Sequence, residues 1–213
     1  MNVVVVDYGI VNIKNIVRGL EYVGAKVIIS KEPETIEKAG RVILPGVGAF
    51  AAGMRELNTL GLDEALKNVA KAGQPILGIC LGMQMLLTAS EEYGHHKGLG
   101  LIPGSVLPIP TGEEGAVKQR KVPHIGWTAL YSPPDCSNWD DSCLSGTPFG
   151  AFFYFVHSFM AVPDNPADIL GHCDYESLSV IAAVKNENVT GLQFHPERSG
   201  LAGLAVLQQF VST

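Results

Sequence analysis

Two short motifs, far apart in the chain, carry residue types suited to acyl transfer. Cys80 sits between glycines in Gly78-Ile79-Cys80-Leu81-Gly82, and His195 and Glu197 flank a proline in His195-Pro196-Glu197. The first motif follows an apolar run, Ile76 to Ile79, and leads at once into a helix-like segment, Leu81 to Leu87. That is the layout of a nucleophile elbow, a tight strand-to-helix turn that pushes one side chain out above a sheet. Small neighbours permit the sharp backbone, and the partial positive charge of a helix N-terminus favours thiolate over thiol. The N–H of Leu81 would then point toward the oxygen of any acyl group that Cys80 attacks. The plainer alternative is a buried cysteine acting as a small hydrophobe.

In the second motif, the residue before Pro196 is held extended. Side chains two apart in extended backbone share a face, so Glu197 can accept the N–H of His195 and fix its tautomer. The other ring nitrogen is then free to face a thiol. Sulfur, imidazole and carboxylate together make a complete set for nucleophilic attack on an amide.

The elements that must position these groups follow from the apolar pattern. Val3 to Val6 is a β-branched run suited to a strand buried on both faces, and Ile13, Ile16, Val17, Leu20 and Val23 form a helical stripe that Gly24 ends. Val27 to Ile29 and Val42 to Leu44 read as strands, with a short helix over Glu34 to Ala39 between them. Helices follow up to the strand that carries Cys80, one of them with Leu62, Ala65, Leu66, Val69 and Ala70 on one face. Such alternation predicts an α/β fold: a doubly wound, mostly parallel sheet flanked by helices in three flavodoxin-like layers, with residues 1–213 as a single domain. From Tyr93 to about Phe149, glycines, prolines and short alternating runs (Ser105 to Ile109, Lys121 to Ile125, Ala129 to Tyr131) predict an antiparallel β insertion. Ala151 to Ser158 is an aromatic strand. Ser179 to Val184 and Val189 to Leu192 form a hairpin around Asn186-Glu187-Asn188, and a last amphipathic helix runs through Leu201, Leu204, Leu207 and Phe210.

Gly46-Val47-Gly48-Ala49-Phe50-Ala51 satisfies the dinucleotide fingerprint as a string. It follows a later strand rather than the first, and no acidic residue ends a second strand at the expected distance, so nucleotide binding is set aside. Glycines at a strand end instead let backbone N–H groups turn toward an anionic centre, as an oxyanion hole requires.

Composition narrows the classes. The 213 residues are 46% hydrophobic and 17% charged, with a net charge of −6, which describes an ordered globular chain and argues against nucleic acid as the main ligand. The densest basic run, Lys118-Gln119-Arg120-Lys121, reads as a solvated loop or a small partner patch. Four cysteines (Cys80, Cys136, Cys143, Cys173) are too few and scattered for a disulfide framework, and no His/Cys grouping has zinc spacing, so neither metal nor cofactor is expected. The N-terminal run lacks the length of a membrane span and the basic flank of a signal peptide, making the cytoplasm the expected compartment.

Taken together, the elbow and His195-Pro196-Glu197 resemble the class I (triad) glutamine amidotransferases. Within that class the chain is most similar to the glutaminase subunits of imidazole glycerol phosphate synthases, from histidine biosynthesis. The likeness runs through Asp7-Tyr8-Gly9, Leu44 to Phe50, Gly78 to Gln84, Gly98 to Gly104, Pro123-His124-Ile125-Gly126-Trp127, Tyr154 to Ser158 and Gly191 to Gly200. It implies that Cys80 attacks the side-chain amide of glutamine, His195 relays protons and Glu197 orients His195, giving glutamate and ammonia through a thioester. It also implies an oxyanion hole at Val47, Gly48 and Leu81, and a glutamine pocket lined by Gly46, Gln84, Glu92, His157, Ser158 and Phe159. Glu92 suits the α-ammonium of glutamine by charge, and equally suits a helix end; for His157 only a backbone-positioning role is expected. The family pairs such a subunit, as a heterodimer, with a (β/α)8 cyclase that takes up the ammonia. Asn12, Asn15, Trp127 and Tyr154 fall in segments at or near that interface. Two positions depart from the family pattern: Val11 stands where glycine is usual and Thr128 where asparagine is usual. A paralogous glutaminase serving surface-sugar amidotransfer or pyridoxal phosphate synthesis would look similar, although the Trp127 segment disfavours the latter. A catalytically silent scaffold is a third reading, and the intact Cys80, His195 and Glu197 argue against it.

Overall fold

The structure is a computed structural model and describes residues 2–9, 13–112, 120–133 and 139–212. The parallel half of its main sheet is built from β1 (Asn2–Val6), β2 (Lys26–Ser30), β3 (Val42–Leu44), β4 (Ile76–Ile79) and β13 (Val189–Leu192). The antiparallel half adds β12 (Leu178–Asn186), β11 (Ile169–Tyr175), β8 (His124–Tyr131) and β9 (Phe152–His157). The spatial order is β2-β1-β3-β4-β13-β12-β11-β8-β9. Helix α1 (Ile13–Tyr22) and the C-terminal helix α6 (Gly200–Ser212) cover one face. Helices α2 (Pro33–Glu37), α3 (Phe50–Thr59), α4 (Leu62–Lys71) and α5 (Leu81–Leu86) cover the other. Strand β1 shows why the valine run does not alternate with polar residues: Val3 and Val5 enter one core while Val4 and Val6 enter the other. Each of the four is 2% exposed or less, and burying such a side chain contributes roughly 1.5–3 kcal/mol.

Residues 93–149 do not form one insertion. A second sheet, ordered β10-β7-β5-β6, takes β6 (His96–Lys97) and β7 (Ile102–Pro108), together with β5 (Leu87–Ser90) and β10 (Phe159–Pro163) from outside the segment. Its β5–β7 pair is parallel and its other pairs antiparallel. Strand β8 leaves for the far side of the main sheet, and the two short runs expected there are one strand, with Gly126 inside it. Burial decides the split. Ile102 and Val106 of β7 join the core beneath α3 to α5, whereas Leu130 of β8 joins the core beneath α6. Strands β5, β10 and β11 are additions to the sequence reading, as is the early end of the elbow helix, which gives way to β5 at Leu87.

At its described end the basic run is loop, with Lys121 exposed and Arg120 half-buried, and neighbouring backbone and Glu176 hold it in place. Arg120 donates to the carbonyls of Pro110, Tyr175 (3.3 Å) and Glu176 (3.1 Å), and Lys121 N donates to the Glu176 carboxylate at 2.9 Å. Lys118, Gln119, Cys136, Val11 and Asn12 lie outside the described residues. Among the described residues no helix is long and apolar enough to cross a membrane.

Candidate active site

The strand order changes direction between β1 and β3, and in open α/β sheets ligands bind outside the carboxyl ends of the strands at such a point. The carboxyl ends of β3, β4 and β13 deliver in turn Pro45 to Gly48, Cys80, and Gln193 to Glu197. Register makes the meeting possible. Leu44 pairs with Gly78 and Leu192 with Ile79, so the chain leaves all three strands at one level.

At the elbow, Cys80 has φ 55° and ψ −112°, a left-handed conformation costing a non-glycine residue on the order of 1–3 kcal/mol. Neighbours hold it there. Cys80 N donates to Leu192 O at 2.7 Å, and Gln84 N returns to Cys80 O at 3.2 Å. The flanking glycines are required by close approach. A Cβ on Gly82 would lie 1.9 Å from Leu44 O, and one on Gly46 would lie 2.7 Å from Gly82 N. Gly46 therefore serves the contact between the β3 loop and the elbow, and the fingerprint it completes as a string has this steric origin. The Tyr8 hydroxyl secures the same loop by donating to Pro45 O at 3.0 Å.

His195 is extended (φ −100°, ψ 95°), and the chain then turns at once into a short 3-10 segment, Pro196–Arg198. The sequence reading kept this stretch extended. Proline, with φ preset and no N–H to leave unpaired, starts the turn instead. The predicted pairing survives the change: His195 Nδ1 lies 2.8 Å from Glu197 Oε1, both side chains being less than a tenth exposed. A carboxylate only accepts here, so Nδ1 carries the proton and Nε2 is left for Cys80. Burial pulls the imidazole pKa down, but hydrogen bonding and charge from Cys80 and Glu197 outweigh it and hold it near 10. Nε2 is buried without a hydrogen bond of ordinary geometry, so thiol and ring influence one another without being aligned for transfer. The turn is docked by Tyr154, whose carbonyl accepts His195 N at 2.9 Å and whose N–H donates to Ser199 Oγ at 3.0 Å.

These groups line a cavity of about 420 Å³, within the range of small-ligand sites. Every residue assigned from the sequence to the triad, the oxyanion hole or the glutamine pocket borders it. Several are already engaged. The Glu92 carboxylate accepts the N–H of Phe50, the first residue of α3, so the helix-end reading of Glu92 describes one of its oxygens. His157 Nδ1 donates to Phe159 O at 2.8 Å, and Gln84 Nε2 donates to the same carbonyl at 3.2 Å. Those two bonds use both lone pairs of Phe159 O. With Nδ1 protonated, neutral His157 accepts through Nε2 from His124 Nδ1 (2.9 Å), and His124 Nε2 accepts from the Thr128 hydroxyl (2.8 Å). Burial lowers the pKa of His157 to about 3 and that of His124 to about 4, so both rings are neutral at pH 7. The ring of His157 is thus a structural member of the cavity wall, tied to the backbone at Phe159 O.

Of the four residues assigned to a partner face, Trp127 and Tyr154 pair directly across β8 and β9 with ring centroids 6.1 Å apart. Asn15 is exposed on α1, one residue before Ile16 of the cavity wall. Arg198, given no role in the sequence reading, stacks on Tyr154 at 4.4 Å and also borders the cavity. Gln193 was likewise missed. Its signal was a polar residue closing an apolar strand, and it is fully buried against Cys80.

The sequence pattern of the family Glutamine amidotransferase class-I matches residues 4–212. The chain belongs to this family. This amidotransferase is 46% identical over 211 residues to "Imidazole glycerol phosphate synthase subunit HisH 1" of Legionella pneumophila (strain Lens), covering 99% of this chain and 98% of that one. It is 39% identical over 211 residues to "Imidazole glycerol phosphate synthase subunit HisH" of Geobacter sulfurreducens, covering 98% and 97%. Among solved structures, "Structure of PurLQS from Thermotoga maritima" superposes with a TM-score of 0.74 at 21% identity, covering 99% of this amidotransferase and 97% of that chain. The glutaminase domain of Trypanosoma brucei CTPS superposes at 0.65 and 15% identity, covering 100% and 94%. At such identities the structural likeness speaks for the fold.

Proposed function

We infer that this amidotransferase is the glutaminase subunit of an imidazole glycerol phosphate synthase. The observation that carries the reading is the identity of 39–46%, over nearly the full length of both chains, to subunits of that synthase. The thiol proton of Cys80 passes to His195 Nε2, and Sγ attacks the side-chain carboxamide carbon of glutamine. Backbone N–H groups of Leu81 and of the Val47-Gly48 loop receive the developing oxyanion. The C–N bond breaks as the His195 imidazolium gives its Nε2 proton to the departing nitrogen, releasing ammonia. Neutral His195 then takes a proton from water, which hydrolyses the thioester to glutamate and returns Cys80. Glu197 holds the ring in one tautomer throughout and offsets its positive charge. Gln84, Glu92 and the backbone of residues 157–159 seat the amino-acid end of the substrate.

The ammonia passes to a (β/α)8 cyclase subunit, which makes imidazole glycerol phosphate and the aminoimidazole carboxamide ribotide. An exposed apolar strip favours docking beside the triad: Ile125, Trp127 and Phe152 are each more than half exposed on one face of β8 and β9. Tyr154 lies in that strip and carries the His195 turn on its backbone, so a partner seated there touches the catalytic segment.

The test is reconstitution with a (β/α)8 cyclase of the same organism. Glutamate release that requires the cyclase, is lost in Cys80→Ala and is coupled to imidazole glycerol phosphate formation supports the assignment. Stable co-purification with a different synthase, or no glutamate release with the cyclase bound, refutes it.

A further inference from the structure

The buried amide of Gln193 faces the sulfur of Cys80, with Nε2 3.8 Å from Sγ, while the carbonyl of Val156 approaches the same sulfur at 3.9 Å. Amide nitrogen and oxygen are told apart only by their hydrogen-bond partners. Here the partners leave one solution. Phe159 O can only accept, so the atom of Gln84 that meets it at 3.2 Å is Nε2. The second hydrogen of Gln84 Nε2 goes to Gln193 Oε1 at 3.0 Å, and that turns the NH2 of Gln193, not its oxygen, toward Cys80. Phe159 O also accepts a hydrogen bond from His157 Nδ1–H, and that ring is held in turn by His124 and Thr128. A single backbone oxygen thereby sets the polarity of two buried amides.

We propose that Gln193 positions and activates the nucleophile: its Nε2 donates to Cys80 Sγ and favours the thiolate, and Gln84 locks its amide in the donating orientation. A neutral thiol can donate to Val156 O, a contact that disfavours the anion. Gln193 supplies the opposing influence, because an N–H donor gains strength as the sulfur becomes charged. With Gln193 fully buried, no solvent competes for that bond. Gln84, at the wall of the glutamine pocket, touches the lock directly, so the orientation of the donor and the shape of the pocket are set together.

This deepens the glutaminase reading and rests on it for its biological meaning, but the test needs no turnover. Alkylation of Cys80 by iodoacetamide is followed from pH 5 to 10 by peptide mass spectrometry in the parent, Gln193→Glu and Gln193→Met. Gln193→Glu keeps the bond from Gln84 and the shape, but presents oxygen to the sulfur. Its half-maximal alkylation is expected to move upward by about one pH unit or more. Gln193→Met removes the donor with similar bulk and is expected to shift the profile in the same direction, by less. Profiles superposable on the parent in a folded variant, as judged by circular dichroism and melting, would overturn the proposal. Should Gln193→Glu fail to fold, the Met variant decides by the same criterion. A shifted profile in a protein that never releases glutamate would sink the functional assignment and leave this inference standing.

Discussion

Substituting Gly82 with alanine probes the contact on which the elbow depends. The new Cβ would sit 1.9 Å from Leu44 O, 2.9 Å from Leu44 C and 3.3 Å from Pro45 C. Ordinary carbon–oxygen contacts lie near 3.3 Å, so the first turn of α5 and the end of β3 must separate by roughly 1.4 Å. Backbone atoms crowd the position, and they cannot rotate aside as a side-chain tip would. Overpacking typically costs 1–3 kcal/mol, and a clash with paired backbone belongs at the upper end, about 3 kcal/mol or more. For a chain of this length that corresponds to a drop in melting temperature of roughly 6–12 °C. The displaced turn is also the one that carries Cys80 and Leu81, so alkylation of Cys80 slows and glutamate release with a cyclase falls at least tenfold. Gly40→Ala is the control: its Cβ would meet Asn2 O at an ordinary 3.7 Å, and no melting shift beyond about 2 °C is expected. Gly82→Ala melting within 2 °C of the parent, with Cys80 equally reactive, would refute the claim that close approach to Leu44 makes glycine necessary.

Two limbs of the stability–pH curve have separate owners. His195, raised from 6.5 to about 10, adds stability that is complete below pH 6.5 and lost as pH rises toward 10. The difference in urea midpoint between the parent and Glu197→Gln is therefore expected to narrow over that interval; a constant difference would contradict the pairing. His124 and His157, lowered from 6.5 to about 4 and about 3, stabilise the neutral form, an effect complete above pH 6.5 and eroded as pH falls toward 3. Between pH 7 and 5, above most carboxylate titrations, a parent curve steeper than that of His124→Phe is expected in urea melts; parallel curves would count against it. Trp127→Ala is expected to weaken binding to the cyclase by about 30-fold, the equivalent of a 2 kcal/mol hot spot, without changing the melting temperature by more than about 2 °C. Calorimetric titration giving an unchanged Kd would remove the β8–β9 strip from the interface.

Much of the site could be read from local pattern because its parts are local devices. An elbow needs small residues beside its nucleophile, a His-x-Glu pair needs only one turn of chain, and a doubly buried strand needs an unbroken apolar run. The parallel core of the sheet, Cys80 on its elbow and the contact of His195 with Glu197 all follow from such patterns. Where two elements compete for the same kind of residue, pattern was silent. The apolar stretch Leu81 to Leu87 has no polar periodicity to mark where helix yields to strand, and it yields at Leu87 because β7 is there to pair with it. Glu92 carried charge suited to a ligand, yet which oxygen caps α3 depends on a residue 42 positions away.

The chain's order of residues determined the chemistry on offer: a thiol flanked by glycines, an imidazole beside a carboxylate, and strands apolar enough to hold both under a wall of helices. Folding decided the rest. That β13 lies beside β4 in register, that β8 crosses to the far side of the sheet between β11 and β9, and that Phe159 O orients Gln84 and through it Gln193 are long-range facts. Hydrogen-bond direction and steric contact act over a few ångströms in space, and sequence separation, here 109 residues between the two glutamines, carries no record of them.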